Sequence, residues 1–93
     1  MRDDAFEWDD RKAARNLAKH NISFAVARGV FADPSSVAWE DDGQGDLEQR
    51  FVEVGVVEGR LLSVCYTFRA HRTRIISARL ADSWEQRVYF DGR

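Results

Sequence analysis

The chain has 93 residues, 44% of them hydrophobic and 32% charged, which is the balance of one globular domain (residues 1–93) rather than of a disordered segment. A net charge of −2 excludes a uniformly basic surface, and a single cysteine, Cys65, excludes an internal disulfide and a cysteine-based zinc cluster and fits a reducing compartment. No apolar stretch approaches the roughly 20 residues that span a bilayer, and no basic start followed by an apolar run marks a secretory signal, so a cytoplasmic protein without membrane contacts is expected.

In chain order, Ala5–Trp8 reads as a short strand. Asp9 or Asp10 is the N-cap of a helix over Arg11–Lys19, in which Ala13, Ala14, Leu17 and Ala18 form the apolar face and Arg11, Lys12, Arg15 and Lys19 line much of the rest. Acidic residues at its start and Lys19 and His20 at its end suit the helix dipole. Asn21 is suited to the left-handed residue that ends the helix. Ser23 caps a second, short helix through Phe31, with Phe24, Ala27, Val30 and Phe31 inward, and Asp33-Pro34 stops it.

The middle of the chain is β. Val37–Glu40 is a strand, Asp41–Asp46 a polar loop with two glycines, and Gln49–Val57 a strand with Val52, Val54 and Val56 on one face. Glu58-Gly59 is a tight hairpin turn. Arg60–Phe68 and Thr73–Leu80 are the last two strands, joined by a polar turn at Arg69–Arg72. A final helix runs from Trp84 to about Phe90, capped by Asp82 with Glu85 or by Ser83 with Gln86. The fold class is α+β: an antiparallel sheet meander with two helices before it and one after.

Metal-ligand spacing is absent, because His20 and His71 stand far apart and no HExxH or cysteine pattern occurs. A phosphate-binding glycine loop and a nucleophile elbow are absent too. No metal and no cofactor is expected.

Charge is unevenly distributed. Residues 1–58 hold seven Lys/Arg against thirteen Asp/Glu, a net −6, and residues 59–93 hold seven Arg against three Asp/Glu, a net +4. A local basic face on an acidic molecule is therefore possible. Arg50, Arg60, Arg74 and Arg79 fall on the strands and Arg87 on the last helix. Strict alternation puts Arg79 on a face with Ile75 and Ser77, and Arg74 on the other. Guanidinium groups bind phosphate bidentately and stabilise charge built up in phosphoryl transfer. A solvated face crossed by ion pairs to Glu53 or Glu85 explains the same pattern without a ligand.

Phe6-Glu7-Trp8-Asp9 is followed by Lys12, Asn16 and Lys19-His20, then by Ile22-Ser23-Phe24, Ala27, Val30-Phe31 and Asp33-Pro34. Glu48, Arg50 and Gly55 come next, then Gly59-Arg60-Leu61-Leu62, Tyr66-Thr67, Arg74-Ile75-Ile76-Ser77-Ala78-Arg79, and Glu85, Arg87 and Tyr89. In this order and spacing, over residues 6–89, the chain resembles the BrnT family of ribonuclease toxins. The family often has glycine where Asn21 stands, and asparagine accommodates the same left-handed turn.

The resemblance implies a RelE-like fold and metal-independent endoribonuclease activity that cleaves RNA and inhibits growth. It also implies a cognate BrnA-like antitoxin, whose ribbon-helix-helix domain would carry all contact with operator DNA. Such cleavage requires a base for the 2′-hydroxyl proton, cations for the pentavalent transition state and an acid for the leaving 5′-oxygen. Arg79 and Arg60 are the candidates for charge stabilisation, Glu48 (held by Arg50) for the base, and His20 for acid or base, since histidine ordinarily titrates near neutrality. Lys12, Lys19, Arg50 and Arg74 are candidates for holding the RNA backbone. Trp8 and Trp84 are expected in the core or at a partner contact, Trp39 as a possible base-stacking residue, and Cys65 as a buried strand residue. Two alternatives to an active toxin are a catalytically weak homologue that acts mainly as an antitoxin-binding co-repressor module, and an unrelated interaction protein.

Overall fold

A computed structural model defines the fold and describes residues 1–41 and 48–91. Apart from Asp41, the loop expected at Asp41–Asp46 lies outside the described residues. The elements are β1 (Phe6–Glu7), α1 (Asp10–His20), α2 (Phe24–Ala27), a 3₁₀ turn (Arg28–Ala32), β2 (Val37–Asp41), β3 (Arg50–Val57), β4 (Arg60–Arg69), β5 (Arg72–Leu80) and α3 (Ser83–Asp91). Their order is the expected one, although the second helix tightens into a 3₁₀ turn after one α-helical turn.

Local chemistry sets the boundaries. Asp9 accepts from the backbone N–H groups of Arg11 and Lys12 and starts α1, and Asn21, at φ 58°, ends it by donating its N–H to the Leu17 carbonyl. The Ser23 hydroxyl caps α2 by accepting from Val26 N–H. Asp82 and Glu85 form a reciprocal capping box at the start of α3: Glu85 N–H reaches the Asp82 carboxylate at 2.8 Å, and Asp82 N–H reaches the Glu85 carboxylate at 2.9 Å. Glu58 and Gly59 have φ values of 51° and 78°, the paired left-handed residues of a tight hairpin turn that follows the twist of its strands.

The five-stranded sheet has the order β1-β5-β4-β3-β2. Strands β2 to β5 pair antiparallel with their chain neighbours, whereas β1 pairs parallel with β5. The sheet is therefore mixed, which corrects the expectation of a purely antiparallel one. The correction is possible because a long, helix-bearing stretch separates β1 from β5, as a parallel pairing requires.

One face of the sheet carries α1, α2 and the 3₁₀ turn. Ile22, Phe24, Ala27 and Val30 pack there against Leu62, Val64, Ile75 and Ala78, all at most 1% exposed. Gly55 allows the close approach: a Cβ there would lie 3.0 Å from the Val30 carbonyl oxygen. The other face is only partly covered, by α3, where Tyr89 and Ala81 close over Val54. Tyr89 donates to Asp33 at 2.7 Å, and Asp33 also accepts from Val56 N–H at 2.8 Å.

Helix α1 does not bury the face expected of it. Leu17 is 48% exposed, Ala14 and Ala18 are exposed, and the residue α1 buries is Asn16. The reason is a backbone shortage. Strand β1 pairs only with Thr73 and Arg74 of β5, leaving the outer edge of the rest of β5 without a strand neighbour among the described residues. The Asn16 amide fills that role. It donates to the Ala78 carbonyl at 2.8 Å, accepts from Ala78 N–H at 3.0 Å, and donates to the Ile22 carbonyl at 3.0 Å. Buried peptide groups need such partners, and one polar side chain with good geometry outweighs the burial of a leucine on the next position.

Asn16→Ala is expected to cost about 2–4 kcal/mol in urea denaturation, because it leaves buried donors and acceptors unsatisfied. Leu17→Ala is expected to change stability by less than about 0.5 kcal/mol, as at other exposed surface positions.

Candidate functional site

Between Tyr66 and Cys65 the register with β5 shifts. Tyr66 opposes Ile75 and Cys65 opposes Ser77, so Ile76 is an extra residue in β5. Such a bulge reverses the alternation beyond it. Arg74 and Arg79, expected on opposite faces, therefore share one, and Ile75 and Ala78 share the other and both enter the core.

The pairings lay out the open face as three cross-strand rows. One holds the pairs Asp41–Arg50 and Thr67–Arg74–Glu7; the next runs Trp39, Val52, Cys65, Ser77; the third Val37, Val54, Ser63, Arg79. Residues from all three, among them Arg50, Cys65, Ser77 and Arg79, line a cleft of about 260 Å³. Ser77 also lines a second cleft, of about 330 Å³, whose other walls are Lys12, Arg15, Asn16, Lys19, His20 and Ile76. The two clefts thus meet at Ser77, around the free edge of β5 where Asn16 docks α1.

The cations of these clefts differ in how they are held. Arg79 makes a bidentate pair with Glu85, at 2.7 and 3.1 Å. Glu85 is 4% exposed and also accepts from Ser63 at 2.9 Å and from Asp82 N–H, and its hydrogen bond to Arg79 raises the affinity of that guanidinium for its proton. Arg74 is pinned to the buried Glu7 at 2.6 Å, and this contact, more than any other, holds the Glu7 carboxyl below its ordinary range. Lys12, Arg15 and Lys19 have no ion pair with any carboxylate among the described residues. Among the described residues only Lys12 has a carboxylate close enough to act on, that of Asp9, so the three form a local basic patch on an acidic chain, the kind of surface that attracts anions.

Lys12, Lys19 and His20, proposed from the sequence, therefore come together, and Arg50 and Arg79 share the adjoining cleft. Arg74 lies on the same face but is engaged by Glu7. Glu48 is not held by Arg50; it makes an exposed bidentate pair with Arg69, at 2.8–3.0 Å, outside both clefts. Arg60 pairs with Val57 beside the hairpin turn, on the face opposite Arg79 by register, and lines neither cleft. Cys65 is half-buried rather than buried, and burial pushes its thiol up, so it stands as a neutral wall rather than a nucleophile. Of the two alternatives for Arg pairing, Glu85 takes Arg79, while Glu53 accepts from Tyr66 and Ser36.

Sequence reasoning missed Arg15, Ser77 and Asn16. Arg15 was within reach, lying three residues after Lys12 and four before Lys19 on one helix face. Ser77 depends on the bulge, which leaves no signature in the residues themselves.

The family model described as the ribonuclease toxin BrnT of type II toxin–antitoxin systems matches residues 8–85. The fold and the cationic cleft thus belong to a small toxin whose class acts on RNA and is paired with an antitoxin. The chain is a member of the BrnT ribonuclease toxin family. No individual curated protein matches it significantly.

Because the folded Glu7 carboxyl binds its proton more weakly than the unfolded one, its contribution to stability is present above about pH 4.5 and is lost as pH falls through the lowered value. Chemical denaturation between pH 6 and pH 3 is expected to show a smaller loss of stability for Glu7→Gln than for the unaltered protein.

Proposed function

We propose that this protein is a metal-independent endoribonuclease that binds the RNA backbone in the α1 cleft and cuts it beside Ser77. The observation that carries the reading is the trio of cations with no ion pair among the described residues, Lys12, Arg15 and Lys19, around a cleft continuous with the one that holds Arg79. Cations held by no ion pair give up mainly hydration and counterions when a phosphate arrives.

In this reading the 2′-oxygen attacks the adjacent phosphorus, the bond to the 5′-oxygen breaks, and a 2′,3′-cyclic phosphate and a 5′-hydroxyl result. His20 takes the 2′-hydroxyl proton, and the departing 5′-oxygen gains one from solvent. Arg79, held in place by Glu85 and Ser63, faces the charge that accumulates on the phosphoryl oxygens. Arg50 and Lys12 position the strand. Glu48 and Arg60 lie outside the clefts and take no part. The partner is a BrnA-like antitoxin that covers this face and carries a ribbon-helix-helix domain for operator DNA, and the toxin acts in the cytoplasm.

A second reading has one specific observation in its favour. Both terminal nitrogens of Arg79 are already occupied by Glu85, as suits a toxin homologue that cuts weakly and serves as an antitoxin-binding co-repressor.

Inducible expression separates the two. Growth arrest with RNA breakdown is expected for the unaltered protein, absent for Arg79→Ala, and unaffected by chelators when cleavage is repeated in vitro. For Lys12→Ala/Arg15→Ala/Lys19→Ala, RNA binding should weaken and its logarithmic salt dependence should flatten by about 2, from the loss of three phosphate contacts to a single strand. Normal growth and intact RNA from soluble, antitoxin-free protein would leave the co-repressor reading standing.

A further inference from the structure

The middle row of the open face has chemically different ends. At the β5 end Ser77 adjoins the α1 cations. At the β2 end stands Trp39, paired with Val52, which lines the same cleft as Ser77. The row crosses three strand-to-strand steps, a span of about 14 Å at the usual sheet spacing. Trp39 is half-buried and meets Trp84 of α3 edge to face, with ring centroids 5.2 Å apart and planes at 82°. Trp84 remains 54% exposed. It is also the residue before Glu85, whose carboxylate grips Arg79, so the indole and the guanidinium are fixed to one short, capped helix start.

We infer that the Trp39–Trp84 pair is a base-stacking platform for single-stranded RNA, an inference that rests on the ribonuclease reading above. Every base has a flat π-face, and an exposed indole held at a fixed tilt stacks on it without demanding a particular base. The strand then crosses the sheet along the middle row, with its phosphates at Lys12, Arg15 and Lys19 and a base on Trp84. A paired duplex cannot offer a base face to Trp84 without unstacking, so the platform selects unpaired RNA. Lys12, Arg15 and Lys19 at the β5 end of the row favour a polyanionic strand over an apolar peptide on this shelf.

The test uses full-length, antitoxin-free protein and two labelled hexanucleotides whose 2′-O-methyl groups block cleavage. One carries bases throughout, and the other has the same backbone with abasic positions. Fluorescence anisotropy is expected to show that Trp84→Ala weakens binding of the base-bearing strand about tenfold, that Trp84→Phe retains most of it, and that the abasic strand binds all three proteins equally. Equal affinity of Trp84→Ala and unaltered protein for the base-bearing strand would overturn the platform. So would equal losses on both strands, or a loss confined to antitoxin binding. If the unaltered protein binds neither strand, or binds with no dependence on Lys12, Arg15 and Lys19, the RNA-binding reading falls and the platform with it.

Discussion

The three hydrogen bonds of the Asn16 amide hold the functional half of the molecule together. A sheet edge with unpaired peptide groups is a liability inside a protein, and β1 is too short to cover β5 beyond Arg74. By presenting a carbonyl and an N–H₂ to Ala78, Asn16 acts as a one-residue strand borne on the middle of a helix. That contact orients α1, and α1 in turn sets its Lys12, Arg15 and Lys19 side chains around a cleft against the bulged part of β5. It also turns Leu17 outward. The helix is thus docked by polarity at the place where amphipathic patterning calls for hydrophobic burial.

The bulge at Ile76 is the second half of the arrangement. Without it Arg79 would alternate into the core face and Ala78 away from it. With it, Ala78 packs under α1 while Ser77 and Arg79 turn to the open face. Because Ala78 is also the residue that Asn16 reads, the clamp and the bulge fix the same two or three residues of backbone. The core, the helix dock and the candidate site therefore stand or fall together, which suits a domain of this size with few contacts to spare.

Electrostatics on this face follow a division of labour. Two arginines of the sheet are anchored by buried carboxylates, Arg74 by Glu7 and Arg79 by Glu85, so their positions are defined at the cost of their net charge. Lys12, Arg15 and Lys19 of α1 have no ion pair among the described residues and supply the field. This explains how a chain of net charge −2 presents a cleft lined by cations. Acidic residues are spent on positioning some cations and kept away from others. Membership of the BrnT family is what ties the proposed function of that cleft to RNA, and the proposed stacking pair at the far end of the middle row would give a bound strand its direction.

Much of this was legible in the residues. Caps and turns are local chemistry, and Asp9, Asn21, Ser23, the Asp82–Glu85 box and Glu58-Gly59 all lie where their side chains or permitted φ values put them. The strand positions followed from alternation and β-branched content, and the family from motif order along the chain. Contacts between residues distant in sequence were beyond such reading. The parallel pairing of β1 with β5, the partner of each arginine, and the placement of Glu48 and Arg60 away from the cleft depend on which edges meet in space. The inverted face of α1 and the shared face of Arg74 and Arg79 depend on a single extra residue in one strand and a single amide that answers it. The sequence by itself determined the elements, their order and the family. Only the tertiary structure decided which cations are neutralised and which remain free, because a carboxylate's effect on a cation is set by their separation in space, not along the chain.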